Sequence, residues 1–186
     1  NKKRIIHFFF VAVAFFVIGC VLFASDTGSK KAAKKKKALL KSDNWVLVSC
    51  DSQETEAQDG KAENAFDNDP ETFWHTQWHG VEPEQPHEIV IDLGKKFNII
   101  GIRYTTRTQE HMNGTIKKFE FYIGNNPDKL REPVIEGEFN IEEPGGNEIV
   151  YFAQTLGQYI KLRSITDKND QGHTCVPELD VIVRVK

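Results

Sequence analysis

The feature that most constrains the fold is a succession of short segments, from Trp45 to the end of the chain, in which apolar and polar residues alternate. One such segment places Ile89, Ile91 and Leu93 on the same face of an extended chain. Gly, Pro, Asn and Asp residues separate the segments, and helical periodicity is nearly absent. This pattern predicts an all-β fold, either a sandwich or a barrel.

The alternation and the turn residues between segments together predict nine strands. With 186 residues, the chain has room for a single domain built from them. The predicted strands span residues 45–50, 72–78, 88–93, 98–107, 116–123, 134–139, 148–152, 159–164 and 179–185.

Residues 1–25 predict export. A basic start, residues 1–4, precedes an apolar run over 5–24, as in a secretory signal peptide with cleavage near Ala24. The run is also close to the roughly 20 residues that span a bilayer, so a retained N-terminal membrane anchor is an alternative. Residues 17–20, Val-Ile-Gly-Cys, resemble a bacterial lipobox, which adds lipidation of Cys20. We expect a secreted, cell-surface or periplasmic protein, with a membrane tether if this segment is kept.

Charge divides the chain into two parts of opposite sign. Residues 26–41 hold seven lysines and one aspartate, and we interpret residues 26–43 as a lysine-rich linker before a folded domain over 44–186. Residues 42–186 carry 14 Lys and Arg against 26 Asp and Glu, a formal charge of −12, whereas the whole chain has −3. Phosphates and anionic lipids are normally captured by basic patches, so nucleic acid is excluded as a partner.

Cys50 and Cys175 are the two cysteines within the predicted domain. Because export permits disulfides, we predict a bridge between them. It would close a loop of about 125 residues, which in the loop-entropy description stabilises the fold by about 4 to 5 kcal/mol. The alternative is two buried cysteines without a bridge.

The densest polar turn lies between Asn64 and Thr72 and leads into the aromatic segment 73–78. Asp67, Asp69 and Thr72 supply oxygen donors of the kind that Ca²⁺ prefers. The same residues also make an ordinary surface turn, so the pattern alone leaves both interpretations open. Zinc is not supported, because no third ligand lies at suitable spacing from the nearby histidines.

Arg107 ends a predicted strand and precedes a loop rich in amide and charged side chains, including Asn113. A guanidinium and an amide can each hold two sugar oxygens, and an aromatic ring such as that of Trp78 can stack on a pyranose. The chain shows no activated nucleophile, phosphate-binding glycine loop or metalloprotease motif, and its acids are scattered. We therefore predict a binding protein and no enzyme.

Six ordered motifs resemble the coagulation factor 5/8 type C (discoidin) domain, and most closely its family 32 carbohydrate-binding modules. The resemblance covers residues 45–186 and implies a jelly-roll β-sandwich of the galactose-binding type. The motifs are NAFDNDPETFWHTQW (64–78), PHEIVIDLG (86–94), IRYTTR (102–107), NGTIKKFEFYI (113–123), QYIKL (158–162) and PELDV (177–181).

The resemblance also implies a structural Ca²⁺ that ties the first polar turn to the last strand. Its side-chain ligands would be Asp67, Asp69, Thr72 and Glu178. Backbone carbonyls of Asn64 and Pro177 would complete the set.

Members of the family that bind galactose hold the sugar with a histidine, an aromatic residue, an arginine and an asparagine. The resemblance implies that His75, Trp78, Arg107 and Asn113 contact the sugar here. The final loop, 167–174, lacks the expected Phe, Tyr or Trp and offers only His173. We expect a glycan partner with a terminal galactose, GalNAc or GlcNAc type of sugar, bound by a monomeric, lectin-like module. The alternative is a discoidin-like adhesion domain that binds protein or lipid.

Overall fold

The computed structural model describes residues 36–110 and 112–185. Within these ranges the chain forms nine strands and two short 3₁₀ helices, at Ala62–Phe66 and Pro127–Lys129. The described part contains no helix long and apolar enough to cross a bilayer. The strands are β1 (Lys36–Leu39), β2 (Val46–Cys50), β3 (Trp74–His75), β4 (His87–Thr105), β5 (Ile116–Gly124), β6 (Ile135–Glu138), β7 (Asn147–Asp167), β8 (Cys175–Val176) and β9 (Glu178–Val185).

Two long antiparallel strands, β4 and β7, organise the fold. The main sheet has the order β1-β9-β4-β7-β5-β6, with β2 also paired to β4, and β3 and β8 form a separate two-stranded sheet. The register of β4 against β7 shifts between Asp92 and Phe97 and again between Ile99 and Gly101. At such irregularities a sheet bends, so the continuous sheet curls over itself and makes the layers of the predicted jelly-roll sandwich.

The first bend of β4 lies at Gly94. Its φ angle is +80°, a conformation that glycine adopts without steric cost, and its amide donates to Asp92 Oδ1 at 2.7 Å. Residues 94–96 carry the signature of a reversing turn in the sequence. In the structure they bend the strand but do not reverse the chain, and β4 continues on the far side of the bend.

The core lies between the curled layers and is rich in isoleucine and aromatic residues. Phe119 stacks on Phe139 with ring centroids 4.1 Å apart, and Tyr104 lies 4.7 Å from the same ring. Trp74 is fully buried and donates its indole N–H to the Ser52 carbonyl at 2.8 Å. Each such side chain stabilises the fold by about 1.5 to 3 kcal/mol through burial.

The structure confirms the all-β class and changes several strand boundaries. The predicted strands 88–93 and 98–107 are one strand, β4, and 148–152 and 159–164 are one strand, β7. The predicted strand 72–78 is reduced to the two residues of β3. The predicted linker 26–43 includes β1, which pairs with β9, so the sheet begins before residue 44.

The structure leaves Cys50 and Cys175 as free thiols, contrary to the predicted bridge. Cys50 lies opposite Ile89 in the main sheet, whereas Cys175 lies opposite His75 in the two-stranded sheet. The two cysteines thus lie on unpaired strands of different sheets, and their sulfur atoms are not bonded. The predicted signal or anchor (1–25), the lipobox (17–20) and the start of the linker lie outside the described residues.

Candidate functional site: a polar cavity at one end of the sandwich

Loops at one end of the sandwich line an open cavity of about 350 Å³. All five predicted sugar-binding side chains line it, although they come from positions up to 98 residues apart. Two further side chains among the described residues, Gln58 and Glu82, also line the wall. The lining residues are Gln58, His75, Trp78, Glu82, Arg107, Asn113 and His173.

His75 forms the floor of the cavity as the last residue of β3. Its ring is buried, and Nδ1 lies 2.7 Å from the Thr76 carbonyl oxygen. Burial is the main reason why the pKa of His75 is lowered to about 4, and the charges of Arg107 and His173 contribute. The ring is therefore neutral at physiological pH, with its proton on Nδ1 facing the carbonyl. This leaves Nε2 as an unprotonated acceptor for a ligand hydroxyl group.

Trp78 lies three residues after His75, a spacing that would place the two side chains on opposite faces of a continuous strand. The strand ends at His75, so the chain is free to turn towards the cavity. The Trp78 side chain is 37% exposed, which leaves part of its indole available to a ligand.

The buried carboxylate of Glu54 fixes this turn. Its Oε2 accepts the amides of Trp78 at 3.2 Å and His79 at 2.9 Å, and its Oε1 accepts those of Glu56 and Ala57. These hydrogen bonds, that from Ala57 first, lower the pKa of Glu54 to about 2, so it is ionised under all ordinary conditions. One anion therefore holds together the loop that carries Gln58 and the loop that carries Trp78.

Arg107 follows β4 and crosses the cavity wall. Its guanidinium carbon lies 4.3 Å from the Phe73 ring centroid, and its Nε donates to Gln109 Oε1 at 2.9 Å. These contacts fix the plane of the guanidinium. Its two terminal nitrogens have no hydrogen-bond partner among the described residues, so they can reach a ligand.

Asn113 reaches the cavity because Gly114 lets its loop pass close to β8. Gly114 has a φ angle of +74°, and its carbonyl accepts the Cys175 amide at 2.7 Å. A side chain at this position would meet the Cys175 backbone nitrogen at 2.8 Å. Only glycine fits such an approach without a shift of the backbone.

His173 belongs to the loop between β7 and β8, residues 168–174, which we call the His173 loop. Asp167, fully buried at the end of β7, accepts the amides of Asn169, Gln171 and Gly172. The side chain of Gln85 donates to the His173 carbonyl at 3.0 Å. The His173 ring lies 5.6 Å from that of His75, so the loop closes the side of the cavity above the floor.

Four residues of the site were missed by sequence reasoning. Gln58 and Glu82 line the cavity, while Glu54 and Asp167 position its loops. Gln58 and Glu82 lie in loops that match no motif. Glu54 and Asp167 act on backbone amides, and a sequence pattern gives no sign of such contacts.

The predicted calcium ligands occupy the turn before β3 and the start of β9. Thr72 Oγ1 lies 2.6 Å from Asp67 Oδ2 and 2.9 Å from the Asp69 carbonyl oxygen, and its single proton is shared between these two acceptors. These contacts make a tight turn. Glu178 is buried, and its Oε2 has no hydrogen-bond partner in the part of the chain that the structure describes. Burial, and then the charges of Asp180 and Asp67, raise the pKa of Glu178 to about 8.

The oxygen atoms of the predicted calcium ligands are suited to a hard cation such as Ca²⁺. The Oε2 atom of Glu178 is buried without a partner, and two more carboxylates lie near it. Arg103, which is paired with Asp180 at 2.8 Å, offsets only part of this negative charge. The side-chain amide nitrogen of Asn64 donates to the carbonyls of Asp59 and Phe73 and so fixes this residue in the turn. The predicted ligand is its backbone carbonyl. The described residues nevertheless contain no group of three or more His, Cys, Asp or Glu side chains arranged to hold a metal ion.

Comparison with known protein sequences identifies a matching family and several relatives of this chain. The family model described as the F5/8 type C domain matches residues 48–179. A sialidase from Micromonospora viridifaciens is 30% identical over 165 residues, covering 88% of this chain and 25% of the sialidase. A galactose oxidase from Gibberella zeae is 31% identical over 141 residues, covering 74% of this chain and 20% of the oxidase. The chain thus spans a quarter or less of the length of these relatives.

Two solved structures from Clostridium perfringens have the same fold. A domain in complex with GalNAc-β-1,3-galactose has a TM-score of 0.69 and 26% identity, covering 77% of this chain and 99% of that domain. The family 32 carbohydrate-binding module of NanJ, in complex with galactose, has a TM-score of 0.67 and 28% identity, covering 79% and 99%. From the matched residues and the shared fold, the chain belongs to the F5/8 type C, or discoidin, domain family, with family 32 carbohydrate-binding modules among its structural neighbours.

Proposed function

We propose that this chain is a non-catalytic carbohydrate-binding module for a terminal galactose-type or N-acetylhexosamine sugar. One observation carries the proposal. Five side chains predicted to contact sugar line one cavity of about 350 Å³. His75 ends β3, and the other four come from three separate loops.

The chemistry of the lining suits the hydroxyl groups of a sugar. His75 Nε2 is an acceptor, the terminal nitrogens of Arg107 are donors, and the amide of Asn113 offers both. Trp78 supplies an apolar surface for the face of a pyranose ring. A shallow site of this kind supports a dissociation constant between millimolar and tens of micromolar, or about −4 to −6 kcal/mol.

Glycan binding by the structural neighbours supports the proposal. One of the two was solved with galactose and the other with a disaccharide of GalNAc and galactose. The sialidase and galactose oxidase relatives are four or more times longer than the region that they share with this chain. Their catalytic activities therefore do not transfer to it.

We further propose a structural Ca²⁺ held by Asp67, Asp69, Thr72 and Glu178 with the carbonyls of Asn64 and Pro177. The unpartnered Oε2 of buried Glu178 supports it. When bound, the ion would neutralise these carboxylates and fasten the turn before β3 to β9. It would act on stability and have no part in contacts with the sugar.

Export is part of the same proposal, because glycans of this type are met outside the cell. Residues 1–25 would direct the chain to the cell surface, the periplasm or the medium, and residues 26–35 would extend the domain from a membrane if that segment is kept. Adhesion to glycans is the role that this arrangement suits.

A glycan array with the whole chain, with and without Ca²⁺, tests the sugar site. The wild type should bind a set of terminal galactose or N-acetylhexosamine glycans, and Arg107→Ala should lose about 10- to 100-fold in affinity, as expected for charge-assisted hydrogen bonds. Arg131→Ala is the matched control, because Arg131 is exposed and makes no ion pair within the described residues. Equal losses in both variants would remove Arg107 from the site.

One observation favours a second candidate, an adhesion domain that inserts apolar side chains into a protein or lipid partner. Val81 is 61% exposed and lies on the loop that follows Trp78. Binding of the folded chain to uncharged liposomes or to a protein, with silence on the array, would support this candidate. Loss of that binding in Val81→Ser would then locate the contact.

A further inference from the structure

His87, the first residue of β4, lies beneath the His173 loop and is fully buried. Its Nδ1 lies 2.6 Å from Asp51 Oδ2, and its Nε2 lies 2.9 Å from the Gly172 carbonyl oxygen. Both of these oxygens are acceptors. Both ring nitrogens can donate a hydrogen bond only when the imidazole carries two protons.

We propose that His87 is a positioning residue of the sugar site: its protonated ring ties the His173 loop to Asp51, and deprotonation releases that loop. The brace itself follows from the geometry around His87. Its effect on affinity rests on the sugar-binding function proposed above.

Loss of one proton breaks a specific contact. The carboxylate of Asp51 is a stronger acceptor than a carbonyl, so the remaining proton stays on Nδ1. Nε2 then turns a lone pair towards the Gly172 carbonyl, and a hydrogen bond becomes a repulsion. Gly172 precedes His173 directly, so the side chain that closes the cavity loses one of its supports.

The groups around His87 set the direction of the pH effect. Burial of the ring lowers its pKa, but hydrogen bonds and charge from Asp51, with the carbonyls of Gly172 and Pro83, outweigh burial and raise the pKa above 6.5. Across the sheet His87 faces Ser164, and the carboxylate of the adjacent Glu88 is paired with Lys161. Among the described residues, Asp51 is therefore the charged group in direct contact with the His87 ring.

Because the pKa of His87 is raised on folding, its brace is complete below pH 6.5 and is lost as the pH rises through the raised pKa. Sugar affinity should fall in the same range. His75 gives a separate effect at lower pH, because its pKa of about 4 keeps it neutral throughout the range in which His87 changes state.

The test is a titration of the whole chain with the sugar that binds best on the array, from about pH 6 to about pH 9. The dissociation constant of the wild type should rise about tenfold, the equivalent of one hydrogen bond. Asp51→Asn keeps the fold but removes the charge that favours the protonated ring, and should move the midpoint down by about one pH unit or more. An unchanged midpoint in Asp51→Asn would overturn the proposal.

Two comparisons separate His87 from other histidines. His79→Gln removes an exposed imidazole beside Trp78 and should leave the midpoint unchanged. His173→Gln removes the imidazole of the loop itself, and the pH dependence should persist in that background at lower overall affinity. A pH dependence that disappears in His173→Gln would assign the effect to His173 and refute the role of His87.

Amide hydrogen exchange of the chain without sugar provides an independent measurement. Exchange at Gly172 and His173 should accelerate above the midpoint in the wild type, after correction for the intrinsic rate. Accelerated exchange without sugar binding at any pH would support the brace and contradict the proposed function. Exchange independent of pH would refute the brace, whatever the sugar result.

Discussion

The Tyr104 hydroxyl group joins three elements of the core, and its removal should weaken the fold by a predictable amount. It donates to the Cys175 carbonyl at 2.9 Å and accepts the Ile116 amide at 3.1 Å. Tyr104 is fully buried, and burial raises its pKa well above the usual value, so the phenol stays neutral. It thus links β4 to β5 and β8, the strand beside His75.

Tyr104→Phe leaves a buried carbonyl and a buried amide without this partner. Each such group costs about 1 to 3 kcal/mol, and because the two are close their costs do not add fully. We expect a loss of about 3 kcal/mol in the free energy of unfolding. For a domain of this size it corresponds to a decrease in Tm of about 6 to 12 °C.

Urea denaturation at fixed Ca²⁺ concentration measures this loss as a shift of the midpoint at constant slope. Tyr151→Phe is the matched control, because Tyr151 is 51% exposed and its ring contact with Lys37 is kept by phenylalanine. That variant should stay within about 0.5 kcal/mol of the wild type. If Tyr104→Phe is no less stable than Tyr151→Phe, the hydroxyl group does not join the core as the distances indicate.

Two further predictions concern the loops and the cation. Glu54→Gln replaces a carboxylate that accepts four amides by a side chain with one acceptor oxygen. It should therefore weaken sugar binding and increase the quenching of Trp78 fluorescence by iodide. Unchanged affinity and quenching would show that Glu54 does not position Trp78. Addition of Ca²⁺ at 100 times its dissociation constant should stabilise the wild type by about 2.7 kcal/mol, and Glu178→Gln should reduce this gain; equal stabilisation of both would place the ion elsewhere.

Much of the fold follows from alternation, because a half-buried strand must place every second side chain in the core. Ile89, Ile91 and Leu93 are all buried, as the sequence predicts. Strand continuity could not be predicted. Gly94 and Gly157 look like turn residues, yet both lie inside long strands, where one of them bends the chain. The sequence shows that a bend is allowed, and only packing against neighbouring strands decides whether the chain reverses.

β1 illustrates a second limit of sequence reasoning. Lys36 and Lys37 have the composition of a solvated linker, and their side chains are exposed. The strand forms because its backbone pairs with Arg184 and Val185 of β9. Backbone pairing of this kind leaves no trace in hydrophobicity, so composition alone placed the domain boundary too far along the chain.

The candidate site divides in the same way between side chains that face a ligand and side chains that face the backbone. His75, Trp78 and Arg107 belong to ordered motifs, and the structure brings them to one cavity. Glu54 and His87 also position loops of the site, but each contacts backbone groups of residues that are distant in sequence. Such contacts can be found only once the chain is folded.

The buried acids accept hydrogen bonds from backbone amides, and this explains how an acidic domain keeps the Arg107 guanidinium available to a ligand. Residues 42–186 carry a formal charge of −12, so an unpaired arginine near several carboxylates would ordinarily form ion pairs. Glu54 and Asp167 are instead satisfied by amides of their own loops. Glu82, which also lines the cavity, forms no ion pair with Arg107 among the described residues. Arg107, the one Lys or Arg among the described lining residues, is therefore left with two nitrogens for a ligand. An acid in either position without its amides would compete directly with a bound ligand for Arg107.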